Sequence, residues 1–106
     1  MHFLYILTLT DHYNGPANWD DTTNATLGSH WNYLVDLHKK GVTQLVGRTS
    51  YSPGHKDLIG LAVFTAENQE QAAEIMNNDP CVKEGVMTAV LHPFNLSLIE
   101  GKMPEG

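Results

Sequence analysis

The residues of this 106-residue chain best suited to proton chemistry are a histidine and an aspartate, His30 and Asp79. His30 follows Leu27 by three positions and precedes Leu34 by four, so helical spacing places its imidazole on an inward-facing apolar stripe. An imidazole transfers protons near neutral pH when a partner fixes its tautomer and orientation. A carboxylate suits that role because it also stabilises the imidazolium. The competing interpretation of His30 is a satisfied core histidine.

Asp79 stands directly before Pro80, at the end of a predicted helix. Asp-Pro pairs commonly end helices, with the aspartate side chain bonding nearby backbone amides, and this is the competing interpretation of Asp79. Two helices packed antiparallel on one sheet face would bring the first part of one helix and the end of the other to the same edge. We therefore expect His30 and Asp79 to meet as a pair that moves a proton.

Three aromatic side chains and one cation are candidates for binding a small molecule. The aromatic residues cluster around one predicted helix and could wall a pocket, although ordinary packing explains them equally well; they are Trp19, Trp31 and Tyr33. Arg48 ends a predicted strand, where it could meet an anionic substrate group or simply be solvated. These four residues form the predicted substrate-binding set.

The sequence favours a protein without a metal or cofactor. Its other histidines show neither metal-ligand spacing nor an HExxH framework; they are His2, His12, His38, His55 and His92. The phosphate-binding pattern GxGxxG and the hydrolase pattern GxSxG are both absent from the sequence. Cys81 is the single cysteine, and we interpret it as a small buried side chain rather than a nucleophile.

Composition narrows the classes of partner. The net charge of −6, from six basic and twelve acidic residues, disfavours nucleic-acid binding, which needs clustered cations. The apolar run at residues 3–9 is far shorter than the ~20 residues that cross a bilayer, and no basic residue precedes it, so neither a membrane span nor a signal segment is expected. A lone cysteine suits a reducing compartment. We expect a cytoplasmic protein.

Apolar periodicity and turn residues divide the chain into six elements. The strands are expected at residues 2–10, 42–49, 58–65 and 86–91, and the helices at residues 26–40 and 67–77. The order β-α-β-β-α-β is that of a ferredoxin-like α+β domain, in which right-handed crossovers place two helices on one face of a four-stranded antiparallel sheet. Residues 1–94 would form this domain. The tail at residues 95–106 would add a short strand or contact a partner chain.

The first strand is apolar on both of its faces, which predicts a central position in the sheet. The sheet face without helices would then expose a contiguous apolar patch. A second copy of the chain could cover this patch, and a domain of this size gains from the extra burial. We therefore expect a homodimer formed through the open sheet face.

Three segments resemble the YciI-like (YCII-related) family. They are the opening strand MHFLYILTL, the helix segment HWNYL that begins at His30, and the block DPCVKEGVMTAVLHPF that begins at Asp79. The resemblance covers nearly all of residues 1–94. It implies a dimeric ferredoxin-like α+β barrel with a site around the helix histidine and the Asp-Pro aspartate. These positions correspond to His30 and Asp79 here.

The same resemblance bears on activity. Some relatives are dehydrochlorinases acting on chlorinated hydroxyquinones, and related barrels include muconolactone isomerases, whereas many members have no assigned reaction. This chain departs from the family pattern in its Asn- and Thr-rich segment at residues 11–25, in Arg48 after Gly47, and in Cys81 after Asp-Pro. These changes touch the rim of the expected pocket, so a relative's substrate does not transfer directly.

Two hypotheses on function, and a third without a ligand, remain open from the sequence. In the first, a small cofactor-free enzyme uses the His30–Asp79 pair for elimination or isomerisation of a small cyclic or hydroxylated molecule. In the second, a non-catalytic binding or accessory protein uses the same pocket. In the third, the chain is a dimerisation module without a ligand-sized pocket.

Overall fold

The computed structural model describes residues 1–99 and 101 of the chain and shows four strands and three α-helices. In chain order they are β1 (His2–Leu9), α1 (Asp21–Lys39), β2 (Thr43–Arg48), β3 (Gly60–Thr65), α2 (Gln69–Asn77), α3 (Pro80–Lys83) and β4 (Met87–Phe94). The α+β order β-α-β-β-α-β is confirmed, with α3 as an additional short helix. This order places all four strands in one sheet.

The sheet has the spatial order β2-β3-β1-β4, with every neighbouring pair antiparallel. Strand β1 is therefore central, as its two apolar faces predict. Its register pairs Tyr5 with Ala62 on β3 and with Leu91 on β4. Residues paired across antiparallel strands point to the same face, so this register defines which side chains meet the helices.

The core lies between the sheet and the helices. The odd-numbered side chains of β1 fill it, with Phe3 and Tyr5 fully buried, and they pack on Phe64 of β3 and Leu34 of α1. The ring of Tyr5 meets the ring of Phe64 edge-on, with their centroids 5.5 Å apart. Aromatic pairs of this geometry add to the burial of their area, so the centre of the sheet is firmly held.

Helix α1 begins five residues earlier than the sequence predicts. Asp20 caps its start, because its carboxylate accepts hydrogen bonds from the Thr23 backbone N–H at 2.8 Å and from the Thr23 hydroxyl at 2.9 Å. Thr23 is buried, and it precedes Leu27 by four positions, which extends the inward stripe of the helix. The loop-forming composition of residues 20–25 hid this first turn, since Asp, Asn and Thr favour both loops and caps.

The connection between α2 and β4 also differs from the prediction. Asp79 and Pro80 do not end a helix, because α2 already ends at Asn77; instead they begin α3, with Asp79 as its N-cap and Pro80 in its first turn. Strand β4 continues through Pro93 to Phe94. A proline is tolerated there because β4 lies at the edge of the sheet.

Two loops lie together at the end of the sheet where β1 ends and β3 begins. The first contains two short 3-10 turns, Asp11–Tyr13 and Pro16–Asn18, and the second joins β2 to β3. Gly54 in the second loop has a positive φ of 101°, and a Cβ placed on it would lie 3.8 Å from the Gly15 Cα in the first loop. The close approach of these loops thus uses the backbone freedom of glycine.

The face of the sheet away from the helices is mainly apolar. Its strand residues, assigned by register, include no Asp, Glu, Lys or Arg; they are His2, Leu4, Ile6, Thr8, Leu45, Gly47, Leu61, Val63, Thr65, Thr88, Val90, His92 and Phe94. Val90 is 56% exposed and Leu45 is 52% exposed. This surface is called the open face below.

The predicted tail at residues 95–106 is described only in part. Leu96 is buried, and Ile99 forms a single β-bridge. Residue 100 and residues 102–106 lie outside the described part of the chain. Across the described residues, no helix is long and apolar enough to cross a membrane.

Burial raises the pKa of two ionisable side chains in the packed layer. Burial first, and then the neighbouring Asp79, raise the pKa of the Cys81 thiol to about 12, and the same two causes raise the pKa of Tyr33 to about 12. Both groups are therefore held in the neutral form at physiological pH. A thiol held neutral is a poor nucleophile, which agrees with interpreting Cys81 as a buried structural side chain.

We predict that the protein loses stability in alkali before its buried groups ionise. The unfolded chain releases these protons from about pH 9 to 10 whereas the folded chain holds them to about pH 12, so this stabilisation is complete below about pH 9 and falls as the pH rises. Each such group lowers the free energy of unfolding by at most about 1.4 kcal/mol per pH unit. Urea unfolding of the wild type and of Cys81→Ala between pH 8 and 11 measures the effect. An equally steep decline in Cys81→Ala would contradict the contribution of the thiol.

Candidate active site

The imidazole of His30 and the carboxylate of Asp79 are in contact. The His30 Nδ1 atom lies 2.6 Å from the Asp79 Oδ1 atom, across 49 positions of sequence. The His30 side chain is 16% exposed, whereas Asp79 is completely buried. The structure thus brings together the two residues that the sequence singled out, with the histidine on the outer side of the pair.

Asp79 reaches His30 because of the local structure at the start of α3. As the N-cap of that helix, Asp79 accepts a hydrogen bond from the Cys81 backbone N–H through Oδ1, at 3.0 Å. This bond turns the carboxylate toward α1, against which α3 packs. The Asp79 side chain therefore bonds a backbone amide, as its competing interpretation predicts, and contacts His30 at the same time.

Tyr5 is a third member of the site that sequence reasoning missed. Its hydroxyl donates a hydrogen bond to the Asp79 Oδ2 atom at 2.9 Å, across 74 positions of sequence. Burial first, and then the negative charge of Asp79, raise the pKa of Tyr5 far above its ordinary value. The phenol therefore stays protonated and donates throughout the pH range in which proteins work.

The surroundings of the carboxylate determine how His30 can act. The Tyr5 hydroxyl and the Cys81 N–H are donors to Asp79, and an ionised carboxylate only accepts. With Asp79 ionised, the His30 Nδ1 atom carries the proton of this contact and donates it to Asp79. In the neutral imidazole, the Nε2 atom then has a free lone pair, which is the arrangement that a general base requires.

His30 forms part of the wall of a cavity of about 440 Å³ at the loop end of the sheet. A volume of this order suits a small organic ligand. The walls are almost entirely apolar or aromatic, and their residues are Leu7, Leu9, Trp19, Leu27, His30, Trp31, Leu34, Val46, Gly47, Arg48, Pro53, Leu58, Gly60, Leu61 and Met87. Asp79 lies behind His30, outside this lining, so the Nε2 atom is the ring nitrogen available to the cavity.

Three of the four predicted substrate-binding residues line the cavity and one does not. Trp19, Trp31 and Arg48 are in its wall. Tyr33 lies apart from it, because its hydroxyl donates to the backbone carbonyl of Ile75 at 2.7 Å and ties α1 to α2. The structure thus places the Tyr33 hydroxyl at a contact between two helices.

Charge inside the cavity is sparse. Within the described part of the chain, His30 and Arg48 are the lining residues that can carry a positive charge, and the lining includes no acidic residue. Arg48 ends β2, is exposed, and forms no ion pair with a described residue. Its guanidinium is therefore free to meet an anionic group on a ligand.

The walls that come from loops are held by side-chain bonds to the backbone. The indole N–H of Trp19 donates to the Tyr13 carbonyl at 3.0 Å, and Asn18 donates to the His12 carbonyl at 2.8 Å. In the facing loop, the Thr49 hydroxyl accepts from the Ile59 N–H at 2.9 Å. Trp19 is thus fixed in orientation although it precedes α1 in an irregular segment.

His30, Asp79 and Cys81 also deserve testing as metal ligands, since one potential ligand atom from each lies within 4.8 Å of the others. A metal would need the thiolate of Cys81, yet burial raises the pKa of this thiol to about 12. The Asp79 oxygens are already hydrogen-bonded to three donors. This set fits a hydrogen-bond network better than a metal centre.

Comparison with solved structures finds the same fold in an enzyme. The chain resembles "5-chloro-2-hydroxyhydroquinone dehydrochlorinase (TftG) from Burkholderia phenoliruptrix AC1100", solved in complex with 2,5-dihydroxybenzoquinone, with a TM-score of 0.64 and 21% sequence identity. The match covers 89% of this chain and 93% of that one. At this identity the likeness establishes the ferredoxin-like fold and not the activity. No curated protein matches the chain.

The family model gives a direct assignment. The model of the YCII-related domain matches residues 3–92, which include β2, β3, nearly all of β1, most of β4 and both members of the His30–Asp79 pair. The resemblance in the opening strand, the HWNYL segment and the Asp-Pro block is thereby confirmed. The chain belongs to the YCII-related domain family.

Proposed function

We propose that this protein is a small cofactor-free enzyme in which His30, oriented by Asp79, moves a proton on a small cyclic or hydroxylated molecule. The observation that carries the proposal is the 2.6 Å contact between His30 Nδ1 and Asp79 Oδ1 beside an apolar cavity. A histidine that donates through Nδ1 to a buried carboxylate has Nε2 free to accept a substrate proton. Elimination or isomerisation needs such a base and no redox group.

In an elimination, the leaving group is on a saturated carbon, which a hydroxylated ring provides in its keto tautomer, and the His30 Nε2 atom takes a proton from an O–H or C–H bond of this substrate. The electron pair of that bond forms a new double bond, and the leaving group departs as an anion with its own bonding pair. The imidazolium that forms is stabilised by Asp79, which lies in contact with the opposite ring nitrogen. Release of this proton to solvent restores the base.

The cavity supports a substrate with a flat ring and one anionic group. Trp19 and Trp31 supply aromatic surface for a ring, and the remaining walls are mainly aliphatic. Arg48 supplies a cation for an ionised hydroxyl, an oxo group or a departing anion. We assign Arg48, Trp19 and Trp31 to substrate binding.

Similarity to the dehydrochlorinase supports the choice of elimination. That protein is named for a chlorinated hydroxyhydroquinone and was solved with a dihydroxybenzoquinone, both of them small hydroxylated rings. Such a ring matches the size, the apolar walls and the Arg48 guanidinium of the cavity in this chain. The ligand of that enzyme is therefore a suitable first probe, although Arg48 and the loops shape a cavity of this chain's own.

The second candidate function is binding without chemistry. The feature that favours it is the cavity itself, because a largely apolar pocket with tryptophan walls can hold a ring whether or not a base is present. Saturable binding of 2,5-dihydroxybenzoquinone without turnover of any chlorinated hydroxyhydroquinone would select this candidate.

We propose further that two copies associate through the open face in the cytoplasm. The open face has no acidic residue, lysine or arginine among its strand residues, and it includes exposed Val90 opposite Ile6 in the strand register. A patch of this kind is self-complementary when two sheets pack face to face about a twofold axis. The free, buried Cys81 is compatible with a reducing cytoplasm.

Replacing His30 by Ala is predicted to remove turnover while leaving the fold intact. Loss of a positioned base typically lowers kcat by about 10²- to 10⁴-fold. Chloride release from 5-chloro-2-hydroxyhydroquinone measures the effect, with circular dichroism as the test of folding. His38→Ala is the matched control, since His38 lies on the same helix and contacts Thr43 rather than the cavity. Equal turnover by wild type and His30→Ala would refute the role of the imidazole.

Replacing Arg48 by Met is predicted to weaken the binding of 2,5-dihydroxybenzoquinone by about tenfold or more. This ligand is an anion at neutral pH, so the substitution removes a charge-assisted hydrogen bond. Both tryptophans of the chain line the cavity, so quenching of their fluorescence reports occupancy. Lys56→Met removes an exposed cation outside the cavity and serves as the control. An unchanged dissociation constant in Arg48→Met would exclude Arg48 from the binding site.

Replacing Val90 by Asp is predicted to convert a dimer into a monomer, because the substitution would bury an unpaired charge at the centre of the interface. Sedimentation velocity at micromolar concentration measures the change. Asn24→Asp places the same charge on exposed α1 and should leave the dimer intact. A wild-type protein that sediments as a monomer would contradict association through the open face.

A further inference from the structure

The hydroxyl of Tyr5 holds the side of the Asp79 carboxylate that does not face His30. We propose that Tyr5 is a positioning residue of the His30–Asp79 pair, setting both the orientation of the carboxylate and its hold on a proton. The inference rests on the proposed function only where the pair is taken to be catalytic, because the hydrogen-bond network exists whether or not the pair turns over a substrate.

Hydrogen bonds from two other residues fix the orientation of the Asp79 carboxylate. The Asp79 carboxylate is fixed at both oxygens, with Oδ2 bonded to the Tyr5 hydroxyl at 2.9 Å and Oδ1 bonded to the Cys81 N–H at 3.0 Å. Rotation of the carboxylate about its Cβ–Cγ bond would break both bonds at once. Oδ1 is therefore held at the position where it meets His30 Nδ1 at 2.6 Å.

The placement of Tyr5 makes it a rigid anchor for this bond. Tyr5 lies on the central strand, is completely buried, and has its ring packed edge-on against Phe64 at 5.5 Å. A side chain so confined cannot swing its hydroxyl to another acceptor without disturbing the core. The carboxylate thus takes its orientation from the sheet, while His30 is carried by the helix above it.

The groups around Asp79 also determine how its negative charge is stabilised. The titratable groups that face Asp79 are His30 and Tyr33 from α1, Tyr5 from β1 and Cys81 from α3. Burial raises the pKa of Tyr5, Tyr33 and Cys81, so all three stay neutral near physiological pH. Of these neutral groups, the structure shows only the Tyr5 side chain bonding to the carboxylate, so its hydroxyl is a permanent donor that spreads the negative charge.

Loss of the Tyr5 hydroxyl should change how tightly the His30–Asp79 pair binds a proton. Without the Tyr5 hydroxyl, the Asp79 charge is stabilised by one hydrogen bond fewer, so the coupled His30–Asp79 pair binds a proton more tightly. The pair then takes up its proton at higher pH. Tyr5 does not line the cavity, so the same change should leave substrate affinity unaltered.

Tyr5→Phe tests the proposal, and Tyr33→Phe is its matched control. Both substitutions remove one buried phenol hydroxyl, but the Tyr33 hydroxyl donates to the Ile75 carbonyl instead of Asp79. Titration of the His30 ring, followed by its 15N and 1H NMR signals, is expected to move by roughly one pH unit to higher pH in Tyr5→Phe, since one hydrogen bond to a charged group is lost. The control should titrate as the wild type does. A wild-type titration in folded Tyr5→Phe would overturn the proposal.

Replacement of Tyr5 by 3,5-difluorotyrosine keeps the test open should Tyr5→Phe fail to fold. The fluorinated phenol is a stronger donor of nearly the same shape, so the His30 titration should move in the opposite direction, to lower pH. An unchanged titration in this variant would also overturn the proposal. A purely structural hydroxyl predicts no shift in either variant.

Turnover separates this inference from the proposed function. With 5-chloro-2-hydroxyhydroquinone as the probe, Tyr5→Phe should move the acid limb of the kcat profile to higher pH, lower kcat and leave KM unchanged. If the NMR titration shifts in Tyr5→Phe but His30→Ala keeps full activity, the proposed enzymatic role of His30 is wrong and the positioning role of Tyr5 stands. If His30→Ala is inactive but the His30 ring of Tyr5→Phe titrates as in the wild type, the proposed enzymatic role stands and the positioning role of Tyr5 is wrong.

Discussion

The buried carboxylate of Asp79 is the group on which the arrangement of this protein depends. A charge removed from water is costly unless several donors replace its hydration, and Asp79 is completely buried. The chain supplies these donors from three elements, with Tyr5 from β1, His30 from α1 and the Cys81 backbone N–H from α3. Each element must therefore lie within hydrogen-bond distance of one point, which constrains the helices against the sheet more tightly than apolar packing alone would.

The same constraint explains why the site is rigid where chemistry would occur. His30 is in the middle of a nineteen-residue helix, and Tyr5 is in the centre of the sheet. Neither residue depends on a loop for its position. A base and its orienting carboxylate need their geometry set before substrate arrives, and regular elements packed on a core provide that setting. The network that satisfies the buried charge of Asp79 therefore also orients the His30 imidazole, as the proposed role of a general base requires.

Much of the fold could be predicted from the sequence because its signals are local. The apolar faces of residues 2–10 placed β1 at the centre of the sheet, and the spacing of His30 between Leu27 and Leu34 placed the imidazole inward. Local composition misled at residues 20–25, where Asp20 and Thr23 suit a loop and a helix cap alike. Pro80 likewise looked like the end of a helix and stands in the first turn of α3.

The site could be predicted less completely because its contacts span the chain. The meeting of His30 with Asp79 was expected from topology and from family resemblance, and the structure bears out that contact. Tyr5 was missed because an alternating apolar strand gives no sign of which polar tip has a distant partner. One signal was available: a tyrosine at a fully buried strand position must bond its hydroxyl, and Asp79 is a buried acceptor on the helix side.

The cavity divides into a fixed part and a part that can vary. His30, Leu7 and Leu34 belong to regular elements, whereas Trp19, Pro53 and Leu58 come from the two loops that touch at Gly15 and Gly54. Loops tolerate substitution and insertion better than packed strands and helices do. A chain built in this way could keep the His30–Asp79 contact while its loop walls change. Family membership therefore defines the fold around the His30–Asp79 contact more closely than it defines the ligand that the cavity would take.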